Sequence, residues 1–309
     1  MRNTSKAATL ESKFPLLAVE DHSIISKDAD VTVCFKVRLP ELFTVASSEY
    51  DAIHSAWFKA IKTLPDYTVV HKQDWFIKEN YTPDLSAEDQ SFLSKSFERH
   101  FNERAFLNHY CYLFITQTSK ERMKLQSNFS SLCKGILIPK DIRDKETINR
   151  FMEAVDQFER IINDSGYIHL EKMMADEITG TQHQSGLLEQ YLTLSRKSGG
   201  SLQDFQLGAE EMRIGNNRIS MHTLSDTDDL LGTVSSHNRY EKLSTDRSDC
   251  LLSFASPVGL LLSCNHIYNQ YLFIDNSDGN LSKFERSARN MHSLARYSRA
   301  NQINKEWIE

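Results

Sequence analysis

From Val31 to Leu39 the sequence VTVCFKVRL alternates apolar and polar positions, the period-two pattern of a strand with one buried face. The preceding LLAVEDHSIIS places polar Glu20 to Ser23 between apolar flanks and predicts a hairpin arm beside that strand. Ser48 and Asp51 then form a capping pair, and Tyr50, Ile53, Trp57, Ile61 and Leu64 recur at helical spacing until Pro65 stops the helix. Tyr67 to Ile77, rich in β-branched and aromatic residues, returns as a strand. Residues 79–105 read as an insertion, with Pro83, an acidic stretch and a helix whose apolar positions are Phe92, Leu93, Phe97 and Phe101. Leu107 to Thr116 is a further strand, and Ile148, Phe151, Met152, Val155, Phe158 and Ile162 mark one side of a helix ending in the turn residues Asn163 to Gly166. Tyr167 to Ala175 closes the unit as another strand.

The order strand, helix, strand, strand, helix, strand predicts an α+β fold, a ferredoxin-like (split βαβ) sandwich with helices covering one sheet face. Residues 1–180 form this first lobe. A short helix over Leu187 to Leu194 and the Gly/Ser-rich loop Arg196 to Asp204 lead into a second, smaller α+β lobe over residues 181–309. There, Gly215, Asn216 and Asn217 sit between two β-prone arms and predict a hairpin. Apolar runs follow at Leu251 to Ser263 and Tyr271 to Asp275, and Asp278 and Gly279 turn into a helix carrying Leu281, Phe284, Ala288, Met291 and Ala295 on one face. The chain ends at Asn304 to Glu309 in helix-compatible sequence, so the second lobe is expected to continue beyond it.

Composition narrows the function classes. The 309 residues are 40% hydrophobic and 25% charged, the ordinary globular range. No apolar run approaches the roughly 18–20 residues of a membrane span, and the N-terminus lacks a secretory core and cleavage site. The expected location is the cytoplasm. Five cysteines scattered without close pairs do not form a disulfide framework. A net charge of −6 supplies no global attraction for nucleic acid, so such contact would need a local basic patch.

Candidate chemistry is sparse. None of the eleven glycines is followed by Lys, which excludes a phosphate-cradling Walker loop in these residues. There is no CxxC pair, HExxH helix or Gly-x-Ser-x-Gly elbow, and the Asp226, Asp228, Asp229 cluster lacks the Gly and distal Glu of a calcium loop. Cys264 and His266, two apart on a strand, could begin a thiolate and imidazole site but need two more ligands. His169 and Glu171 match half of a zinc-deaminase pattern without its cysteines. Trp57, Trp75, Phe76, Tyr110 and Tyr112 fall on core positions of predicted elements rather than on a stacking platform. No catalytic, cofactor or metal residue is therefore assigned. The asymmetric feature is the last long helix, where Lys283, Arg286, Arg289, Arg296 and Arg299 oppose only Glu285. The first three share one face, a candidate contact for phosphate, DNA or an acidic partner surface; the same charges also suit a solvated face.

Several long runs together resemble the N-terminal region of TraG-type ATPases of conjugative transposons, relatives of the type IV secretion motors. They are Met1 to Glu20, His71 to Phe76, Ser96 to Arg104, Phe158 to Tyr167, Gly208 to Gly215, Tyr240 to Asp249 and Ser253 to Asp275, so the resemblance spans essentially the whole chain. It implies a region preceding a RecA-like domain that binds ATP and Mg, with no catalytic residue of the family falling on this chain. It further implies docking onto inner-membrane components of the secretion apparatus, homo-oligomerisation, and a place in the bacterial cytoplasm peripheral to the inner membrane. A nucleic-acid-binding module using the basic helix is the alternative. A small-molecule enzyme is a third reading, with no constellation behind it.

Overall fold

A computed structural model describes residues 14–40, 47–82, 91–118, 145–193, 203–208, 211–224, 233–235, 249–251 and 262–297. The first residues form a hairpin, β1 (Leu16–Glu20) and β2 (Ser23–Ser26), closed by a two-residue turn in which Asp21 takes a φ of 48°. β3 (Val31–Arg38) follows, then α1 (Ser47–Ile61), β4 (Thr68–Asn80), α2 (Phe92–Asn102), β5 (Ala105–Gln117), α3 (Lys145–Asp164) and β6 (His169–Lys172). Two short helices, α4 (Ala175–Thr179) and α5 (Leu187–Thr193), come next. Short strands β7 (Phe205–Leu207), β8 (Met212–Ile214) and β9 (Asn217–Ile219) make one small sheet, and β10 (Thr233–Ser235) and β11 (Asp249–Leu251) another. β12 (His266–Ile274) and α6 (Ser277–Tyr297) complete the described chain.

The fold is α+β, and its main sheet has the predicted logic. β5 lies between β3 and β4, antiparallel to both, so β3 and β4 run parallel with a strand between them. β6 pairs with the second half of β3, at Phe35 to Arg38, giving the order β6-β3-β5-β4 of a split βαβ sandwich. The hairpin arm β2 takes the first half of the same edge, at Val31 to Val33. Alternation sends Val33, Phe35 and Val37 of β3, Val70 of β4 and Cys111, Leu113 and Ile115 of β5 to one face. Ile53, Ala60 and Leu64 of the α1 region and Phe151, Val155, Phe158 and Ile162 of α3 close over them as the main core. Trp57 meets Phe158 edge-on at 5.6 Å. Lys172 reaches back from β6 to Asp156 (2.5 Å) and Glu159 (3.1 Å), tying the last strand to α3.

Four features depart from the sequence reading. The second sheet face is not open: Cys34, Trp75, Tyr112 and Phe114 pack there against Met173, Ile178 of α4 and Leu187 of α5. The predicted strand Tyr167 to Ala175 is only four residues long: Met173, whose amide still donates to the Cys34 carbonyl at 2.9 Å, buries its side chain in this second core, and Ala175 starts a helix. The stretch read as an insertion is partly ladder: pairing runs from Thr68↔Gln117 out to Asn80↔Ala105, and α2 sits in the connection beyond it. Asp278 and Gly279 are not a turn before the last helix but lie in its first turn, since the Asn276 side chain accepts from the Gly279 amide at 2.9 Å and caps the helix.

The strand Tyr271 to Asp275, read as part of the second lobe, extends back to His266 and pairs along β4 from Thr68 to Phe76. The main sheet thus draws on residues either side of position 180. The β8–β9 hairpin forms as expected around Gly215, whose φ is 56° and where an added Cβ would meet the Gln203 side chain at 2.2 Å. Most of the Arg196 to Asp204 loop lies outside the described residues.

Candidate interaction surface

Period two along β4 places Lys72 and Asp74 on the same face as Val70, beneath the helices, where Lys72 is 2% exposed and Asp74 not at all. Two opposite charges this deep persist only if each is satisfied. The Asp74 carboxylate accepts from Lys72 Nζ at 2.5 Å and from His109 Nε2 of β5 at 2.8 Å. Burial alone would raise the Asp74 pKa, but these donors and the Lys72 charge outweigh it and hold the carboxyl below its ordinary 3.8. Phe76 stacks between His109 and His266, each ring at 4.5 Å, linking β5, β4 and β12.

An aspartate orienting a histidine is the arrangement that prepares an imidazole to act as a base, and it needs a nucleophile or a substrate proton within reach. The thiol beside it, Cys111, is buried and pushed well above its ordinary 9.0, so it stays protonated. Within the sheet, Lys72, Asp74 and His109 form one hydrogen-bonded polar network. The opposite face carries a second network: Gln73 accepts from Trp75 Nε1 at 2.7 Å and from the Tyr191 hydroxyl, and donates to Asn269 at 2.6 Å. His71 bonds Asn269 at 2.8 Å and stacks on Tyr271 at 4.1 Å; burial lowers its pKa and the Asn269 contact offsets only part of that. The residues that sequence reasoning missed, Lys72, Asp74 and His109, left one signal: opposite charges two apart, at Lys72 and Asp74, between the apolar pairs Val69–Val70 and Trp75–Phe76 of one strand.

The surface is more distinctive than the interior. α2 contains no buried residue, although it is strongly amphipathic. Phe92 is 84% exposed, Leu93 77%, Phe97 61% and Phe101 43%. Ser91 caps the helix by accepting from the Ser94 amide, and the Phe97 and Phe101 rings meet at a tilt, 4.5 Å between centroids. Lys95 and Arg99 lie along the same helix. The β4–β5 ladder carries this helix out to its far end. Contiguous large apolar side chains of this kind on a protein surface mark a contact site.

The predicted basic helix is α6. Lys283, Arg286 and Arg289 are all exposed; Lys283 donates to Asn280 at 3.2 Å and Arg289 pairs with Glu285 at 3.7 Å. Arg296 is on the same helix, and Arg299 lies outside the described residues. Leu281 and Phe284 are also exposed, at 60% and 70%, so this helix presents apolar as well as basic groups. Cys264 and His266 do not form a thiolate and imidazole pair: Cys264 precedes β12, and His266 Nδ1 bonds the Cys264 carbonyl at 2.7 Å rather than its sulfur. His169 and Glu171 are ordinary β6 residues, and Glu171 bonds Arg38 at 3.2 Å. Among the described residues no group of three or more His, Cys, Asp or Glu is gathered as a metal site requires, and no helix is long and apolar enough to cross a membrane.

Comparison with curated proteins yields no match. Residues 3–55 match the model of a family described as "Domain of unknown function, B. Theta Gene description (DUF3875)". That stretch takes in the β1–β2 hairpin, β3 and the first half of α1, the part of the chain that builds one edge of the main sheet and begins its helical cover.

Proposed function

We propose that this chain is the docking and assembly region of a TraG-type conjugative-transfer motor, a type IV secretion ATPase, and that it acts through surfaces. The observation that carries the reading is α2, a phenylalanine-faced helix held at the end of a long hairpin with none of its residues buried. Exposed apolar area of this kind carries a free-energy penalty in water of about 25 cal/mol per Å2, which a docked partner relieves. The run Ser96 to Arg104, one of those resembling the motor family, lies on this helix and the turn after it. In this account α2 seats on an inner-membrane component of the secretion apparatus from the cytoplasmic side. A RecA-like domain elsewhere in the motor binds ATP and Mg and drives DNA transfer, and the match of residues 3–55 to a family described from B. theta agrees with such a setting.

The test is made in the full-length motor in donor cells. Phe92→Ser with Phe97→Ser should cut transfer frequency at least tenfold while protein abundance and ATP hydrolysis stay unchanged. Undiminished transfer would remove the reading. The exposed Lys283, Arg286 and Arg289 support a second reading, in which α6 contacts nucleic acid. It requires affinity for DNA that drops steeply with salt and weakens on charge reversal at Arg286 and Arg289.

A further inference from the structure

β12 is the last strand of the main sheet: it pairs with β4 on one side, and among the described residues no strand pairs with its outer edge. Its sequence, HIYNQYLFI, contains no Asp, Glu, Lys, Arg or Pro, and Asn269 to Phe273 are exposed on both faces. Natural sheets protect such edges with an inward charge, a proline, a bulge or an overlying element. Among the described residues, these five consecutive positions have none of these. Unpaired backbone donors and acceptors along a flat, neutral, β-prone strand form a template for another strand.

The side chains narrow the occupant. Antiparallel pairing of β12 with itself about a two-fold axis at Gln270 uses all nine residues. It sets Gln270 against Gln270, Asn269 against Tyr271, Tyr268 against Leu272, Ile267 against Phe273 and His266 against Ile274. Gln270 meets its own copy amide to amide, Tyr268 meets Leu272, Ile267 meets Phe273, and no like charges oppose. Moving the axis to Tyr271 would leave His266 and Ile267 without opposites in the strand; moving it to Asn269 would leave Phe273 and Ile274 without them. The strand is self-complementary in one register.

We infer that β12 is a dimerisation strand, and that two copies of this chain join edge to edge through it into one continuous sheet centred on the Gln270 pair. Such an interface is isologous, as a two-fold contact must be. It is also small beside the roughly 800 Å2 per partner of a standard interface, so association is expected at micromolar protein. The inference stands on the strand itself and does not depend on the motor reading.

The full chain should shift in sedimentation velocity from 35.6 kDa toward twice that mass as concentration rises through the micromolar range. Gln270→Glu opposes two carboxylates across the axis and should stay monomeric at the same concentrations with an unchanged melting curve. An equimolar mixture of Gln270→Glu and Gln270→Lys should recover the dimer. Should Gln270→Lys fold poorly beside Lys72, Gln270→Cys replaces it: self-opposed Cα atoms about 4.5–5.5 Å apart suit a disulfide. Mild oxidation should then give a covalent dimer that the wild-type cysteines do not. A wild-type chain monomeric throughout, a Gln270→Glu chain that dimerises as wild type, or a Gln270→Cys chain that does not cross-link would each overturn the inference; the first would assign the edge to a different partner strand.

Discussion

Replacing Asp74 with alanine removes the carboxylate that neutralises Lys72 in the core of the main sheet. Lys72 is 2% exposed, so water cannot replace the lost partner without opening the helix layer. Breaking a pair buried this deeply costs roughly 3–5 kcal/mol, because one charge stays behind in a poorly solvating place. The exposed pair Arg38 and Glu171, at 74% and 49% side-chain exposure, gives the contrast: its removal by Arg38→Ala should cost about 0–1 kcal/mol. The double variant Lys72→Met, Asp74→Leu removes both charges and keeps the volume, and it should fall within about 1 kcal/mol of wild type or above it. His109 then loses its acceptor but is 26% exposed and can turn to water. Urea unfolding by circular dichroism, with matched slopes, measures each of these variants. An Asp74→Ala variant costing less than about 1 kcal/mol, or a double variant as unstable as the single one, would refute the buried-pair reasoning.

Three further outcomes follow from the same packing. The Asp74 carboxyl and the His71 imidazole both have lowered pKa values, so at each site the unfolded chain binds more protons and acid destabilises the fold. The His71 contribution is complete above 6.5 and is lost as pH falls below that value, while that of Asp74 is present above 3.8 and is lost below it; urea midpoints across pH should show two steps, and His71→Gln should erase the upper one. Gly186→Ala would put a Cβ 2.1 Å from the Gly180 amide nitrogen, where the Gly180–Ser185 bridge holds the backbone close, and should cost about 1–3 kcal/mol in the same assay. Phe92→Ser and Phe97→Ser, by contrast, should leave the unfolding free energy within about 0.5 kcal/mol of wild type, since neither side chain is buried; a cost of several kcal/mol would mean that α2 belongs to the core.

Local pattern carried most of the main sheet. β3, α1, β4, β5 and α3 announce themselves because each buries one face, and burial leaves period two or a helical stripe in the residues. What stayed hidden depends on partners distant in the chain. Nothing near His266 to Ile274 says that it will lie along Thr68 to Phe76 nearly two hundred positions earlier, since edge pairing uses backbone groups common to every residue. The second core was hidden for a related reason: Cys34, Trp75 and Phe114 look like half of an alternating strand whichever face is covered, α4 is too short for a periodic signal, and the short helix read at Leu187 to Leu194 does not say which sheet face it covers. Lys72 and Asp74 look like solvent-facing residues until the register of β5 puts Leu113 and Cys111 beside them. The phenylalanines of α2 were legible as an apolar stripe, but their exposure was not, because periodicity reports a face and not what lies against it.

The claim that this chain works by docking through α2 is tested most directly by contact in the cell. A photo-crosslinking amino acid placed at Phe97 of the full-length motor in donor cells should give, on irradiation, a discrete adduct with an integral inner-membrane component of the secretion apparatus, and the same label at exposed Leu17 should not. Equal labelling from both positions, or no adduct from Phe97 in cells that transfer DNA normally, would contradict the account.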